Sequence, residues 1–145
     1  MTSWRDGASE IAQSDLDGLL NAVLPFAQQQ LDNHGEFLPF GAAVGTDGAT
    51  RMLASHTGEE HPGSQDALDV LMAGVKSERD SLRAVALVSD VRLTEPPGGA
   101  IRVELEHQEG PTMAILLPYK KRRLGRGVDY ANLTGVGSSQ RIWAP

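Results

Sequence analysis

Apolar residues recur at spacings of three and four over residues 14–34, which predicts an amphipathic helix near the start of the chain. The stripe consists of Leu16, Leu19, Leu20, Val23, Ala27 and Leu31. Ser14 and Asp17 have the spacing of a capping box, so we expect the helix to begin at Ser14. Because the stripe continues beyond Pro25, one helix through this proline is predicted, and Gly35 is expected to end it in the left-handed conformation.

Alternating apolar positions then predict two strands, one from about Pro39 and one from Thr50 to Ser55. Between them, Asp47-Gly48 is typical of a two-residue type I′ hairpin turn, which needs positive φ at both central positions. From Ser64 the spacing becomes helical again, and a second helix is predicted. Its apolar stripe consists of Leu68, Leu71, Met72, Val75 and Leu82.

Three further strands are predicted in the second half of the chain. The run from Ala84 to Leu93 is almost entirely apolar, which is typical of a central strand buried on both faces. From Ile101 to His107, apolar and charged residues alternate, which indicates a strand with one exposed face. A last strand centred on Ile115 is expected to end at Pro118, because proline cannot donate to a sheet. The predicted core comprises Leu20, Val23, Leu71, Val75, Val85, Leu87, Val103 and Ile115.

The predicted order is therefore α-β-β-α-β-β-β, and the short connections favour hairpins. This order implies an α+β fold, a mostly antiparallel five-stranded sheet with two helices, in two or three layers according to whether the helices share a face. Over residues 14–119 the element order resembles that of roadblock, longin and profilin-like domains. The resemblance rests on element order and implies a fold, without implying a function. We expect a flexible leader over residues 1–13 and one domain over 14–145 with a Gly/Ser-rich C-terminal tail.

Composition narrows the class of protein. The 145 residues are 40% hydrophobic and 22% charged, as in ordinary globular proteins, and include no cysteine. The lack of cysteine excludes disulfides, thiolate catalysis and cysteine metal sites. No apolar run approaches the length of a membrane span, and the N-terminus lacks the apolar segment of a secretory signal. We expect a cytoplasmic protein that does not associate with membranes.

Positive charge is concentrated in one loop, residues 120–126. It holds five of the 13 cations, which leaves 8 cations against 19 anions elsewhere in the chain. Such a run is a candidate site for an anion, a nucleic acid or an acidic partner. The acidic remainder favours a loop that neutralises the protein's own surface and disfavours nucleic acid. The candidate anion-binding residues are Lys120, Lys121, Arg122, Arg123 and Arg126.

Two acidic and histidine-containing segments could bear chemistry. The segment His56–His61, HTGEEH, has the residue types of a metal site, but Gly58 and Pro62 prevent the helix that would align its ligands, and no metal is predicted. Glu104 and Glu106 share a strand face, as paired catalytic carboxylates do. The preferred interpretation is an exposed, charge-mixed sheet surface, with His107 at the strand end bonded to backbone.

The place where the first helix meets the first strand is a candidate small-ligand pocket. Its candidate residues are His34, Glu36, Phe40 and Tyr119, with His34 and Glu36 as a possible acid–base pair. The sequence contains no cofactor fingerprint, and no cofactor is predicted.

These observations favour a non-enzymatic domain that binds a protein partner or forms a homodimer through a strand edge or a helix face. A small-ligand-binding protein or enzyme that uses the pocket is the alternative, and binding of anions or nucleic acid through residues 120–126 is a second one. An enclosed pocket with converging polar groups would favour the ligand hypothesis, whereas an open apolar edge would favour association.

Overall fold

The computed structural model describes residues 7–54, 63–95, 97–125 and 127–144. The two helices are α1 (Glu10–His34) and α2 (Ser64–Glu78), and a 3-10 turn (Arg79–Ser81) follows α2. The strands are β1 (Phe40–Gly45), β2 (Thr50–Ala54), β3 (Leu82–Thr94), β4 (Pro97–His107), β5 (Thr112–Lys121), β6 (Val128–Tyr130) and β7 (Thr134–Val136).

These strands form one antiparallel sheet in the order β2-β1-β3-β4-β5-β6, and β7 also pairs with β5. The predicted α+β class, with two helices and a mostly antiparallel sheet, is confirmed. The predicted number of five strands is wrong, because the C-terminal tail adds two short ones. β6 pairs with Tyr119–Lys121 and β7 with Ala114–Leu116, so the tail follows the outer edge of β5.

The helices cover opposite faces of the sheet, which gives three layers. Alternate residues of β3 divide between them: Ala84, Ala86 and Val88 belong to the core under α1, and Val85 and Leu87 to the core under α2. This division explains why β3, placed between β1 and β4, is apolar without alternation.

The predicted core is largely confirmed. Val23, Leu71, Val75, Val85, Leu87, Val103 and Ile115 are buried. Leu20 is the exception, because it is only partly buried and packs at the margin of the α1-side core.

Helix α1 begins earlier than its sequence suggested. Ser9 is the N-cap, and its Oγ accepts a hydrogen bond from the Ala12 N–H at 3.1 Å. The expected start at Ser14 is therefore wrong, because residues 10–13 already belong to the helix. The helix continues through Pro25 as predicted, and Gly35 ends it with φ 76° while its N–H donates to the Leu31 carbonyl at 2.8 Å.

The β1–β2 hairpin has a longer loop than a type I′ turn. Of the two residues Asp47 and Gly48, only Gly48 has positive φ, 88°. The Gly45 N–H donates to the Ala49 carbonyl at 2.9 Å, which closes a three-residue loop, residues 46–48. The Asp47 carboxylate accepts from the Ala49 N–H at 2.9 Å, so aspartate stabilises this loop through its side chain.

Strand β5 continues to Lys121 and does not end at Pro118. The Pro118 carbonyl accepts a hydrogen bond from the Ala131 N–H at 2.9 Å, on the outer side of β5. The nitrogen and the carbonyl of one strand residue point the same way, so the missing N–H of Pro118 also lies on that outer side. The proline therefore removes no hydrogen bond from the β4–β5 ladder.

Neither helix combines the length and the apolar character that crossing a bilayer requires, within the ranges given above.

Candidate functional site

The two edges of the sheet differ in whether they are covered. At one edge the short strands β6 and β7 pair with β5. At the other edge lies β2, whose pairing, among the residues described, is with β1 alone. Unpaired strand edges are templates for further strand pairing, so β2 is the candidate site for association.

The backbone groups that β2 turns outward follow from its register. Gly45 and Ala49 form a hydrogen-bonded pair, and such pairs alternate along an antiparallel ladder. Arg51 and Leu53 therefore bond to β1. The N–H and C=O groups of Thr50, Met52 and Ala54 point away from the sheet.

Apolar side chains lie beside this edge on the α1 side. Met52 is opposite Ala42, a residue of the α1-side core, and its side chain is 48% exposed. Phe26 of α1 is 40% exposed and packs edge-on against Phe40, with ring centroids 4.9 Å apart. Phe40 in turn pairs with Ala54 of β2. We call Phe26, Phe40, Met52 and Ala54 the edge strip.

The charged residue of β2 lies on the opposite face. Arg51 is opposite Ala43, which belongs to the α2-side core, and its guanidinium contacts Glu78 of α2 at 3.0 Å. Both side chains are about half exposed, so the ion pair contributes little to stability. It does hold the positive charge away from the edge strip.

The four residues of the predicted pocket have different environments. His34 is the last residue of α1 and is exposed, as is Glu36. Phe40 is buried and packs against Phe26 and Phe37. Tyr119 is buried on β5, and its hydroxyl donates to Asp90 at 2.5 Å. Phe40 and Tyr119 share the α1-side core, and the hypothesis of a pocket at this junction remains a prediction.

Tyr119 lines a cavity of about 410 Å³ between the β3–β4 hairpin and β6. Tyr130, Lys120, Gly98 and Gly99 also line it, whereas His34 and Glu36 do not. Burial and the hydrogen bond to Asp90 raise the pKa of the Tyr119 phenol. Burial and the nearby Asp32 raise the pKa of Tyr130 to about 12. Both phenols are therefore neutral donors at physiological pH.

Of the basic residues in 120–126, those from Lys120 to Arg123 lie at the end of β5 and just after it. Lys120 and Lys121 end the strand, and the exposed Arg122 contacts Asp129 of β6 at 3.1 Å. Leu124 projects from this segment and is 90% exposed. Arg123 is also exposed, and Arg126 lies outside the described residues. Anion binding by this segment remains a prediction.

The expectation that Glu106 lies on an exposed strand face is wrong. Its side chain is 5% exposed, because the C-terminal residues 141–143 fold over it and donate backbone hydrogen bonds to its carboxylate. Glu104 is partly exposed and contacts Arg102 and Arg141.

His107 is fully buried, and the expected bond to backbone is present, because its Nδ1 accepts from the Glu109 N–H at 3.2 Å. Its second partner is a side chain. Nε2 of His107 lies 2.9 Å from Oδ2 of Asp15 in α1, and Arg83 holds the same carboxylate through two contacts of 2.9 and 3.0 Å. The pairing of a strand-end histidine with an early helical aspartate has no signal in local sequence, since 92 residues separate them.

The segment His56–His61 lies outside the described residues. Within the described ranges, no group of three or more His, Asp or Glu side chains is arranged to hold a metal ion. The prediction that His56 and His61 bind no metal therefore stays a prediction.

Similarity to other proteins does not indicate what these surfaces bind. The likeness to roadblock, longin and profilin-like domains stays a prediction from element order. Comparison of the chain with protein-family models, with curated proteins and with solved structures found no match.

Proposed function

We propose that this protein is a homodimerising domain whose two copies pair through β2, so that their sheets form one continuous antiparallel sheet. The observation that carries the proposal is the asymmetry of the sheet edges. The chain uses its own tail to pair with β5 and leaves the outward groups of Thr50, Met52 and Ala54 without a strand among the described residues.

The register of the proposed dimer follows from the sequence of β2. A two-fold axis at Met52 places this residue opposite its own copy and Thr50 opposite the partner's Ala54. In an antiparallel ladder these are hydrogen-bonded pairs, so every outward N–H and C=O of the three residues obtains a partner. The arrangement is isologous, the usual form of a two-fold interface.

Side-chain chemistry supports the same register. The two copies of Met52 would meet on the α1 side and continue the apolar edge strip across the interface. Arg51 would lie opposite the partner's Leu53, so no like charges face each other. Residues 50–54 contain no proline, and their single charge is turned toward Glu78, so the edge lacks the usual devices against pairing.

The mass of the protein in solution tests the proposal first. Light scattering after size exclusion is expected to give twice the monomer mass for the wild type and the monomer mass for Met52→Lys, which places two ammonium groups on the axis. Leu124→Lys is the matched control, because it makes the same type of change at an exposed site far from β2. A monomeric wild type, or a dimeric Met52→Lys variant, would contradict the proposal.

The register is tested by disulfide formation, since the chain has no cysteine of its own. Met52→Cys is expected to cross-link to its own copy on oxidation, because the Cα atoms of a hydrogen-bonded pair lie about 5.5 Å apart, within disulfide range. Thr50→Cys is expected not to cross-link, because the two copies of residue 50 would lie roughly 13 Å apart. Equal cross-linking of both variants would exclude the register.

A further inference from the structure

The C-terminal segment is bound to the sheet by a buried carboxylate. One oxygen of Glu106 accepts from the backbone N–H of Arg141 at 2.7 Å and of Ile142 at 3.0 Å. The other oxygen accepts from Ile142 at 3.1 Å and from Trp143 at 2.8 Å. Three successive N–H groups thus converge on one side chain, as they do on a bound anion.

The side chains of the segment also occupy separate subsites. Ile142 is 2% exposed and packs in the α2-side core with Leu71, Met72, Val75 and others. The Arg141 guanidinium contacts Glu104 at 2.8 Å. The Trp143 indole N–H donates to the Arg79 carbonyl at 3.3 Å, while the Arg79 guanidinium donates to the Ile142 carbonyl at 3.0 Å.

The connection to this segment has the composition of a linker. Residues 137–140, Gly-Ser-Ser-Gln, are exposed and join β7 to residue 141. Residues 137–139 border a cavity of about 430 Å³ whose other walls include Arg102, Glu104 and Met72. The segment therefore has the organisation of a short peptide ligand tethered beside its own binding groove.

We propose that the surface formed by α2, Arg79, Glu104 and Glu106 is a peptide-binding groove, and that residues 141–143 are its detachable intramolecular ligand. The partner that fits it is an extended peptide presenting a basic, an aliphatic and an aromatic residue in that order. This proposal uses a face of the sheet other than the β2 edge strip and does not depend on dimerisation.

The buried carboxylate determines the class of partner. If residues 141–143 leave, Glu106 loses all the hydrogen bonds they donate and an apolar site opens next to it. A ligand that covers this carboxylate again takes away the water that would solvate it, so the ligand must bring several N–H groups of its own. Only a peptide backbone supplies successive N–H groups together with an aliphatic side chain directed into the pocket. Hydrogen bonds from backbone to a carboxylate are also among the stronger ones.

Displacement of the segment can be followed in the full chain through Trp143. The chain contains two tryptophans, so Trp4→Phe leaves Trp143 as the single emitter. The probe is a peptide of residues 137–144 in which phenylalanine replaces the tryptophan, and the control peptide carries aspartate in place of the isoleucine. A short tether gives an effective concentration in the millimolar range, so the probe is titrated through that range.

We expect the probe to shift the Trp143 emission to longer wavelength in a saturable way, and the control peptide to leave it unchanged. In a second arm, a fluorescent form of the probe is bound to the wild type and to Ile142→Asp, whose own segment cannot fill the apolar subsite. The probe is expected to bind Ile142→Asp roughly tenfold more tightly, because the competitor is removed. Adding Glu106→Gln to this variant is expected to abolish binding, since the amide presents a donor to the incoming N–H groups.

Circular dichroism establishes whether Ile142→Asp is folded. If this variant is unfolded, the proposal is tested by the Trp143 emission of the Trp4→Phe protein alone. The absence of an emission shift at saturating millimolar probe, or equal affinity of the probe for the wild type and a folded Ile142→Asp, would overturn the proposal. Residues 141–143 would then be a fixed part of the fold.

Discussion

Nε2 of His107 lies 2.9 Å from Oδ2 of Asp15, and this contact joins the end of β4 to the first turns of α1 beneath the surface. Nδ1 of His107 accepts a hydrogen bond from the Glu109 N–H at 3.2 Å. Nδ1 is therefore the acceptor and Nε2 carries the proton that is donated to Asp15. Arg83 completes the group by binding both oxygens of the same carboxylate.

Asp15→Asn is expected to destabilise the fold by about 1–3 kcal/mol, because the amide cannot accept from both Arg83 and His107 while its own NH₂ faces their donors. Urea unfolding measures the loss. Glu36→Gln removes the same charge at an exposed site and should change stability by less than about 0.5 kcal/mol. Equal stability of the two variants would show that the buried contacts contribute nothing.

Leu87→Ala is expected to cost about 2–5 kcal/mol, because it leaves a cavity in the core between β3 and α2. Leu87 is 4% exposed and belongs to the cluster that contains Leu71 and Val75. Leu124→Ala, at a 90% exposed position, is the control for loss of the same atoms without burial. Thermal or urea unfolding of both variants checks the difference, and a loss below about 1 kcal/mol at Leu87 would contradict the packing described.

Gly99→Ala is expected to destabilise by about 1–3 kcal/mol, because the new methyl group would overlap the Tyr119 ring. The ring cannot move freely, since its hydroxyl is bonded to Asp90. In a Tyr119→Leu background the same substitution should cost much less, which a double-mutant cycle measures. Gly74→Ala is the control: it lies in α2 with open space around it and should stabilise by roughly 0.5–1 kcal/mol. If the stability losses from Gly99→Ala and Tyr119→Leu simply add in the double variant, the overlap of the methyl group with the ring is contradicted.

The two phenols make stability fall at high pH. The pKa of Tyr130 is raised to about 12, and that of Tyr119 is raised as well, whereas the unfolded chain titrates near its ordinary value of about 10. The free energy of unfolding therefore contains the full contribution of both phenols below a pH of about 10. This contribution is lost as the pH rises through the pKa of the phenols in the folded protein, because the unfolded chain releases these protons first. As these are the only tyrosines, phenolate absorbance reports them alone. Phenolate formation in the folded protein near pH of about 10 would contradict this prediction.

The basic residues 120–126 are expected to bind oligonucleotides no more tightly than about 10⁻⁵ M at physiological salt, the weak non-specific range. Arg122 already contacts Asp129, and the rest of the chain is acidic. Fluorescence anisotropy over a salt series, with single- and double-stranded probes, measures the affinity. Submicromolar binding that disappears when Lys121, Arg122 and Arg123 are changed to alanine would instead establish nucleic-acid binding.

Local pattern determined most of the architecture of this protein. Residue spacing alone predicted α1 through Pro25, the left-handed Gly35 and the doubly buried centre of β3, because each depends on neighbours within a few positions along the chain. The predicted start of α1 at Ser14 was wrong, because Ser9 caps the helix five residues earlier. The sequence prediction was also wrong at Pro118. A proline in a strand removes a hydrogen bond from the sheet only if its nitrogen faces a paired strand, and residue spacing does not show which side that is.

Only the tertiary structure decided the environments of Glu106 and His107. Alternation placed Glu106 on a polar face, and a segment 35–37 residues further along then buried it by supplying backbone donors. His107 obtained its carboxylate from α1, 92 residues away. Among the described residues, the outer side of β2 likewise has no strand beside it, because the tail pairs with β5 at the opposite edge. Contacts between distant segments leave no periodicity in the sequence, since neither partner needs a particular neighbour along the chain, and they become visible only when the chain has folded.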